Sequence, residues 1–260
     1  MKHLPFHRSL PLFLSAVLAT TGVLLFSTTA SALHSWGSYH WARTSNPFTV
    51  KLGDNLSAAW DPYLATTSAD WSVSAVLDTN IVTGQGRKNC RATNGRVEVC
   101  NAKYGNNGWL GIAQVWVSGT HITQGTVKVN DTYFNKPVYN TTAWKNLVLC
   151  QEVGHTFGLD HQDENFSNVN LGTCMDYSND PTPNQHPNIH DYEQLEIIYA
   201  HLDTTTTLAS NTAQTGQDID VSDPPAWGKA IEHDSKGRPS KFERDLGNGR
   251  KVHTFVVWAD

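Results

Sequence analysis

Four side chains in the short stretch from Cys150 to His161 have the types and spacing of a hydrolytic metal centre: Gln151, Glu152, His155 and His161. Positions 151 and 155 are four apart, so on an α-helix they share one face, and Glu152 sits beside them. Gly158 lets the backbone reverse after that helix and swings His161 toward the same ion from another direction. Two donors on a rigid helix and a third beyond a glycine turn leave one position open, as a catalytic zinc requires. The plainer reading makes Gln151 a packing residue and the two histidines incidental, and it leaves their joint spacing with Glu152 and Gly158 unexplained.

The elements that must hold these residues can be read from the surrounding pattern. Thr141 or Thr142 can cap a helix whose Trp144, Leu147, Val148, Leu149, Cys150 and Val153 surround its axis with apolar side chains, so it belongs in the interior. Upstream, Phe48 to Leu52 reads as a strand and the segment from Leu56 to Ala75 as a helix. Between Leu110 and Val129, apolar residues alternate with small or polar ones, which predicts two half-buried strands joined near Gly119. A later helix runs from about His190 to His201 with Leu195, Ile198 and Tyr199 on one face. Thr204 to about Gly216 is polar and aperiodic and reads as a linker. Beyond it, Val252 to Trp258 is strand-like, preceded by a turn at Gly247, Asn248 and Gly249.

Lys2 and Arg8 precede an apolar run from Leu10 to Phe26 and a small-x-small site at Ala30 to Ala32, the pattern of a secretory signal peptide. The run contains Pro11, Ser15, Thr20 and Thr21 and falls short of the ~20 apolar residues of a spanning helix, so no stable membrane insertion is expected after cleavage. The chain carries a formal charge of −5, two units more negative without Lys2 and Arg8. That balance gives no reason to expect nucleic acid or an anionic membrane as partner. Cys90, Cys100, Cys150 and Cys174 form an even set in an exported chain. Three pairings are possible; the spacing favours Cys90–Cys100, closed within one hairpin, and Cys150–Cys174. The paired C-x-x-C spacing of a zinc cluster is missing.

With these residues in view, the stretch from Gln151 to His161 resembles the zinc signature H-E-x-x-H-x-x-G-x-x-H of the metzincin metallopeptidases, the clan of matrixin- and astacin-like catalytic domains. Cys174 to Tyr177 resembles the methionine turn beneath the metal, with Met175 as the methionine. The resemblance implies an α+β fold: a twisted mixed β-sheet, an active-site helix and a C-terminal helix. The organisation it suggests is a signal peptide at 1–32, a catalytic domain at 33–203, a polar linker at 204–222 and a small β-rich appendage at 223–260. It further implies that Gln151, His155 and His161 hold Zn²⁺, that Glu152 is the general base, and that the strand from Gly111 to Val117 is the edge on which an extended substrate lies. Tyr177 stands where astacin- and serralysin-like relatives place a tyrosine that binds the metal or the oxyanion; a core aromatic is the equal alternative. A Cys150–Cys174 bridge would tie the active-site helix to the methionine turn.

Gln151 departs from the signature, in the manner of gametolysin-like members that carry Q-E-x-x-H. An amide oxygen is a harder and weaker donor than imidazole, so copper or another divalent transition metal competes with zinc here. Between His161 and Cys174, the oxygen-rich residues 162–170 could bind Ca²⁺, although a solvated loop is the more economical explanation. The expected protein is thus a secreted, monomeric metalloendopeptidase acting on extracellular protein or peptide. Two alternatives are a metal-binding pseudopeptidase that serves as an adhesion protein and an amidase of another substrate class. No cysteine-switch segment lies between Ala32 and Trp41, so any latency must arise by another route.

Overall fold

The two strands expected between Leu110 and Val129 lie near the middle of one large mixed sheet. The computed structural model describes Met1 and residues 33–86, 88–208, 221 and 223–260. Residues 2–32, nearly all of the segment read above as a signal peptide, position 87, and positions 209–220 and 222 of the polar stretch lie outside the described residues. Among the described residues, nine strands make up the sheet: β1 (His40–Trp41), β2 (Phe48–Asn55), β3 (Leu77–Thr83), β4 (Val97–Ala102), β5 (Trp109–Ser118), β6 (His121–Asn130), β7 (Lys229–His233), β8 (Pro239–Gly247) and β9 (Arg250–Trp258). Four helices accompany them: α1 (Asp61–Trp71), α2 (Asp131–Phe134), α3 (Thr142–His155) and α4 (Ile189–Ile198). This is the mixed α+β architecture expected, with a large sheet and few helices.

The strand order is β3-β2-β4-β6-β5-β9-β8-β7, and β1 pairs with the start of β6. Strands β2, β3, β4 and β6 are parallel, whereas β5, β9, β8 and β7 continue antiparallel. Thr141 caps α3 by accepting from the Trp144 amide, and Asn188 closes a capping box with Asp191 on α4. From Asn146 to His155 every residue of α3 is buried, as its all-round apolar surface predicts. No helix among the described residues is long and apolar enough to cross a membrane.

Both cysteine pairs form as the spacing favours, Cys90–Cys100 and Cys150–Cys174. The first does not close a hairpin, however. Cys90 ends a short 3₁₀ turn, and Cys100 lies on β4, whose two neighbours are the parallel strands β2 and β6. With both edges of β4 already used, the bridge folds a loop back onto the strand instead of joining an antiparallel partner.

The C-terminal strands extend the main sheet, because β9 pairs with β5 over nearly its whole length, from Trp109↔Trp258 to Ser118↔Arg250. The sequence of β9 explains this. Phe255 and Val257 enter the main core, while Val252 and Val256 join Trp109, Ile112 and Trp227 in a second apolar cluster on the other face. A strand apolar on both faces needs cover on both, and a two- or three-stranded appendage cannot supply it alone. The strand expected to be a free substrate-binding edge, Gly111 to Val117, therefore has neighbours on both sides, β6 and β9.

His253 on β9 is buried against Trp36 and Tyr39, and burial, reinforced by the nearby Lys241, pushes its pKa down from 6.5 to about 4. Lys251 acts in the same direction, and Glu243 and Asp160 oppose it. The folded protein keeps this imidazole neutral while the unfolded chain protonates it below pH 6.5, so stability falls as pH drops from about 6.5 to about 4. The expected loss is on the order of 3 kcal/mol, and His253→Leu should flatten that part of the profile. Urea unfolding at a series of pH values measures it; an equally steep acid limb in the variant would remove His253 as its source.

Candidate metal centre

Helix α3 carries Gln151, Glu152 and His155 into the dry interior, where all three are fully buried. Backbone amides of Thr156, Phe157 and Gly158 close the last carbonyls of the helix, those of Val153, Gly154 and His155. Tryptophan indoles add to this network: Trp71 donates to the Cys150 carbonyl (3.1 Å), Trp36 to that of His155 (3.0 Å) and Trp41 to that of Thr156 (2.8 Å). The chain then turns at Gly158, whose φ of +99° suits glycine and where a Cβ would lie 2.6 Å from the Tyr39 carbonyl oxygen. This turn delivers His161 to His155.

The two rings meet edge to face with their Nε2 atoms 3.0 Å apart. His155 Nδ1 lies 2.9 Å from the Leu159 carbonyl oxygen, and His161 Nδ1 lies 2.8 Å from Glu164 Oε1. Both partners only accept, so each Nδ1 bears the proton and each Nε2 presents a lone pair. Two lone pairs this close repel unless a proton or a cation lies between them. A proton would make one ring an imidazolium, and burial with the adjacent His161, which hold the His155 pKa well below its ordinary value, disfavour that ring being His155. A tetrahedral ion with nitrogen bonds of about 2.0–2.1 Å sets two donors roughly 3.3 Å apart, close to what is seen.

The neighbouring polar atoms point the same way. Neither polar side-chain atom of Gln151 and neither carboxylate oxygen of Glu152 has a hydrogen-bond partner of good geometry, although all are buried. Burial drives the Glu152 pKa well above the carboxylate range, and the nearby backbone amides of Val257 and Ala113, too poorly aligned to satisfy the carboxyl, oppose that shift. Gly111 on β5 makes room for this carboxyl: a Cβ there would stand 2.4 Å from Val148 Cγ1 and 3.0 Å from Glu152 Oε1. The donor set of an amide oxygen and two imidazoles, with a carboxylate alongside, fits a divalent transition ion.

Met175 packs beneath the helix, its sulfur 2.7 Å from where a Cβ on Gly154 would sit, and the Cys150–Cys174 bridge anchors the segment that carries it. Tyr177 lies with its ring 4.3 Å from that of His161, while its hydroxyl donates to the Val256 carbonyl at 3.1 Å. Burial raises its pKa well above 10. Here Tyr177 is a buried aromatic whose polar end is engaged by β9. In the oxygen-rich segment 162–170, Asp163 accepts from the Asn165 amide and the Asn168 side chain, so the loop is tied by its own residues.

Three participants were not expected from the sequence. Glu164, three residues after His161, was legible as an i,i+3 partner. The Leu159 carbonyl was not, because its role depends on the turn. Phe255 was also hidden: it stacks on His155 with centroids 4.1 Å apart and planes 11° apart. Lys241 on β8 seals the rim by pairing with Asp160 at 2.9 Å. Strands β8 and β9 therefore close the centre off from solvent.

No protein-family model matches the chain, and no curated protein matches it either.

A buried carboxyl without partners weakens the metal-free fold. With metal removed by chelation, Glu152→Gln should raise stability at pH 7 by about 1–3 kcal/mol, since it deletes the ionisable group but keeps its shape. Urea midpoints with and without chelator test this; a variant no more stable than the wild type would mean that Glu152 is not an unsatisfied group.

Proposed function

We propose that the chain is a secreted metal-dependent endopeptidase of metzincin type, held closed in this structure by its own C-terminal strand. The reading rests above all on the facing Nε2 atoms of His155 and His161, each turned inward by a hydrogen bond at Nδ1. Gln151, His155 and His161 would hold the ion, zinc before copper or another divalent metal. When bound, the ion supplies Lewis acidity that polarises a peptide carbonyl and makes a water easier to deprotonate. Glu152 takes the proton of that water and returns it to the leaving amine. The apolar walls around Glu152 suit this work, because they keep its basicity high. Met175 and the Cys150–Cys174 bridge hold α3 in place.

The antiparallel partner that β5 would offer an extended peptide is supplied here by β9, and Phe255 covers His155. A substrate must therefore displace this strand. The same cover favours a second reading, a metal-binding protein that keeps the fold without turnover and presents an extracellular binding surface. Peptide-library digestion by zinc-loaded protein separates the two. Phe255→Ala should raise cleavage at least about tenfold, since a shift of about 1.4 kcal/mol toward the open form suffices. Glu152→Gln in the same background should abolish cleavage while retaining the ion. If the opened variant cleaves nothing, the binding protein is the surviving interpretation; if activity survives Glu152→Gln, the assigned base is wrong.

A further inference from the structure

A second convergence of imidazoles lies outside the centre described above. It draws on three remote parts of the chain: His40 on β1, His121 at the start of β6, and His201 with Asp203 just beyond α4. Positions 40 and 121 are paired in register by the β1–β6 ladder. The His40 and His201 Nε2 atoms are 3.1 Å apart, and Asp203 Oδ1 lies 3.2 Å from His121 Nε2, 3.5 Å from His40 Nε2 and 3.8 Å from His201 Nε2. The rings of His121 and His201 stand at 89° and 85° to that of His40, so both meet it edge to face instead of stacking.

The surrounding contacts orient these atoms as outer-shell contacts orient ligands. His40 Nδ1 donates to the Ser38 carbonyl oxygen at 2.8 Å, so the neutral ring turns an Nε2 lone pair, and the protonated ring an Nε2–H, toward His201 and Asp203. Asp203 Oδ2 is held by the backbone amide and Nη1 of Arg43, at 3.2 and 3.0 Å. That grip leaves Oδ1 to the imidazoles. His40 is buried, whereas the side chains of His121 and His201 are 36% and 54% exposed, so an ion can enter from solvent.

We propose that His40, His201 and Asp203, with His121 beside them on Asp203, form a second transition-metal site, filled by zinc or a similar ion, which staples the N-terminal strand to the β5–β6 turn and to the exit of α4. The ligand atoms of His40, His201 and Asp203 lie within 4.8 Å of one another, and His121 Nε2, 3.2 Å from Asp203 Oδ1, stands beside them as the nearest candidate for a fourth donor, which together suit a structural ion. Such a set suits zinc or cobalt and does not suit calcium or magnesium, which prefer all-oxygen shells. The site is independent of the peptidase reading.

The test uses the full exported chain, stripped with chelator, reloaded with Co²⁺ or Zn²⁺ alone, and passed through gel filtration before elemental analysis. Wild type should retain two ions per chain, and the double variant His121→Ala, His201→Ala one fewer, with unchanged circular dichroism and a smaller drop in melting temperature on chelation. His186→Ala, another exposed histidine, should leave the count unchanged. If wild type retains a single ion, the double variant decides: loss of that ion supports this site and removes the catalytic one, while its retention overturns the proposal. Equal counts in wild type and double variant, including none in both, also overturn it and leave a hydrogen-bonded histidine cluster.

Discussion

Two imidazole lone pairs facing each other in a dry core cannot be neutral with respect to stability. His155 and His161 are brought to this position by the Gly158 reversal and pinned there at Nδ1 by Leu159 and Glu164. Burial denies them water, and the partners at Nδ1 deny them the alternative tautomer. What remains is a site that a cation, or a proton shared between the two Nε2 atoms, relaxes. The indoles of Trp36, Trp41 and Trp71 brace the same helix, with Trp41 engaging the Thr156 carbonyl just past its end. The sheet, the helix and the glycine turn are all arranged around a local electrostatic conflict.

How much of this could be read in advance depends on the range of the interactions involved. The helix cap at Thr141, the buried α3, the strands on either side of Gly119 and the spacing of residues 151–161 all follow from neighbours a few positions apart, and they were legible. So were both cysteine pairs, although the hairpin assigned to Cys90 and Cys100 was not formed. Hairpin reasoning assumes that neighbouring strands pair antiparallel, whereas β4 is inserted between parallel partners.

The role of β9 was illegible for a different reason. Val252 to Trp258 announces a strand, but nothing local says which edge it will join. Its apolar residues on both faces were the available signal, because a strand of that kind must lie inside a sheet with cover on both sides. Tyr177 shows how such a distant element redefines a residue: its place two positions after Met175 suggested a partner for the metal or the oxyanion, and the Val256 carbonyl engages its hydroxyl instead.

The manner of closure separates this arrangement from a plug that ligates the metal. The β9 residue stacked on His155 is Phe255, which has no donor atom, and the strand is held by ladder hydrogen bonds to β5 and by apolar burial. Chelation or ligand competition therefore has no direct purchase on the cover. Under the proposed peptidase reading, release would proceed by unpairing strands, a cooperative step in which the edge of β5 and the candidate metal centre become available together. A peptide that could lie antiparallel along β5 would compete for the same ladder bonds and the same apolar floor. On this view the requirement for an extended strand is imposed first by the energetics of displacing β9, before any side chain of the substrate has met the metal.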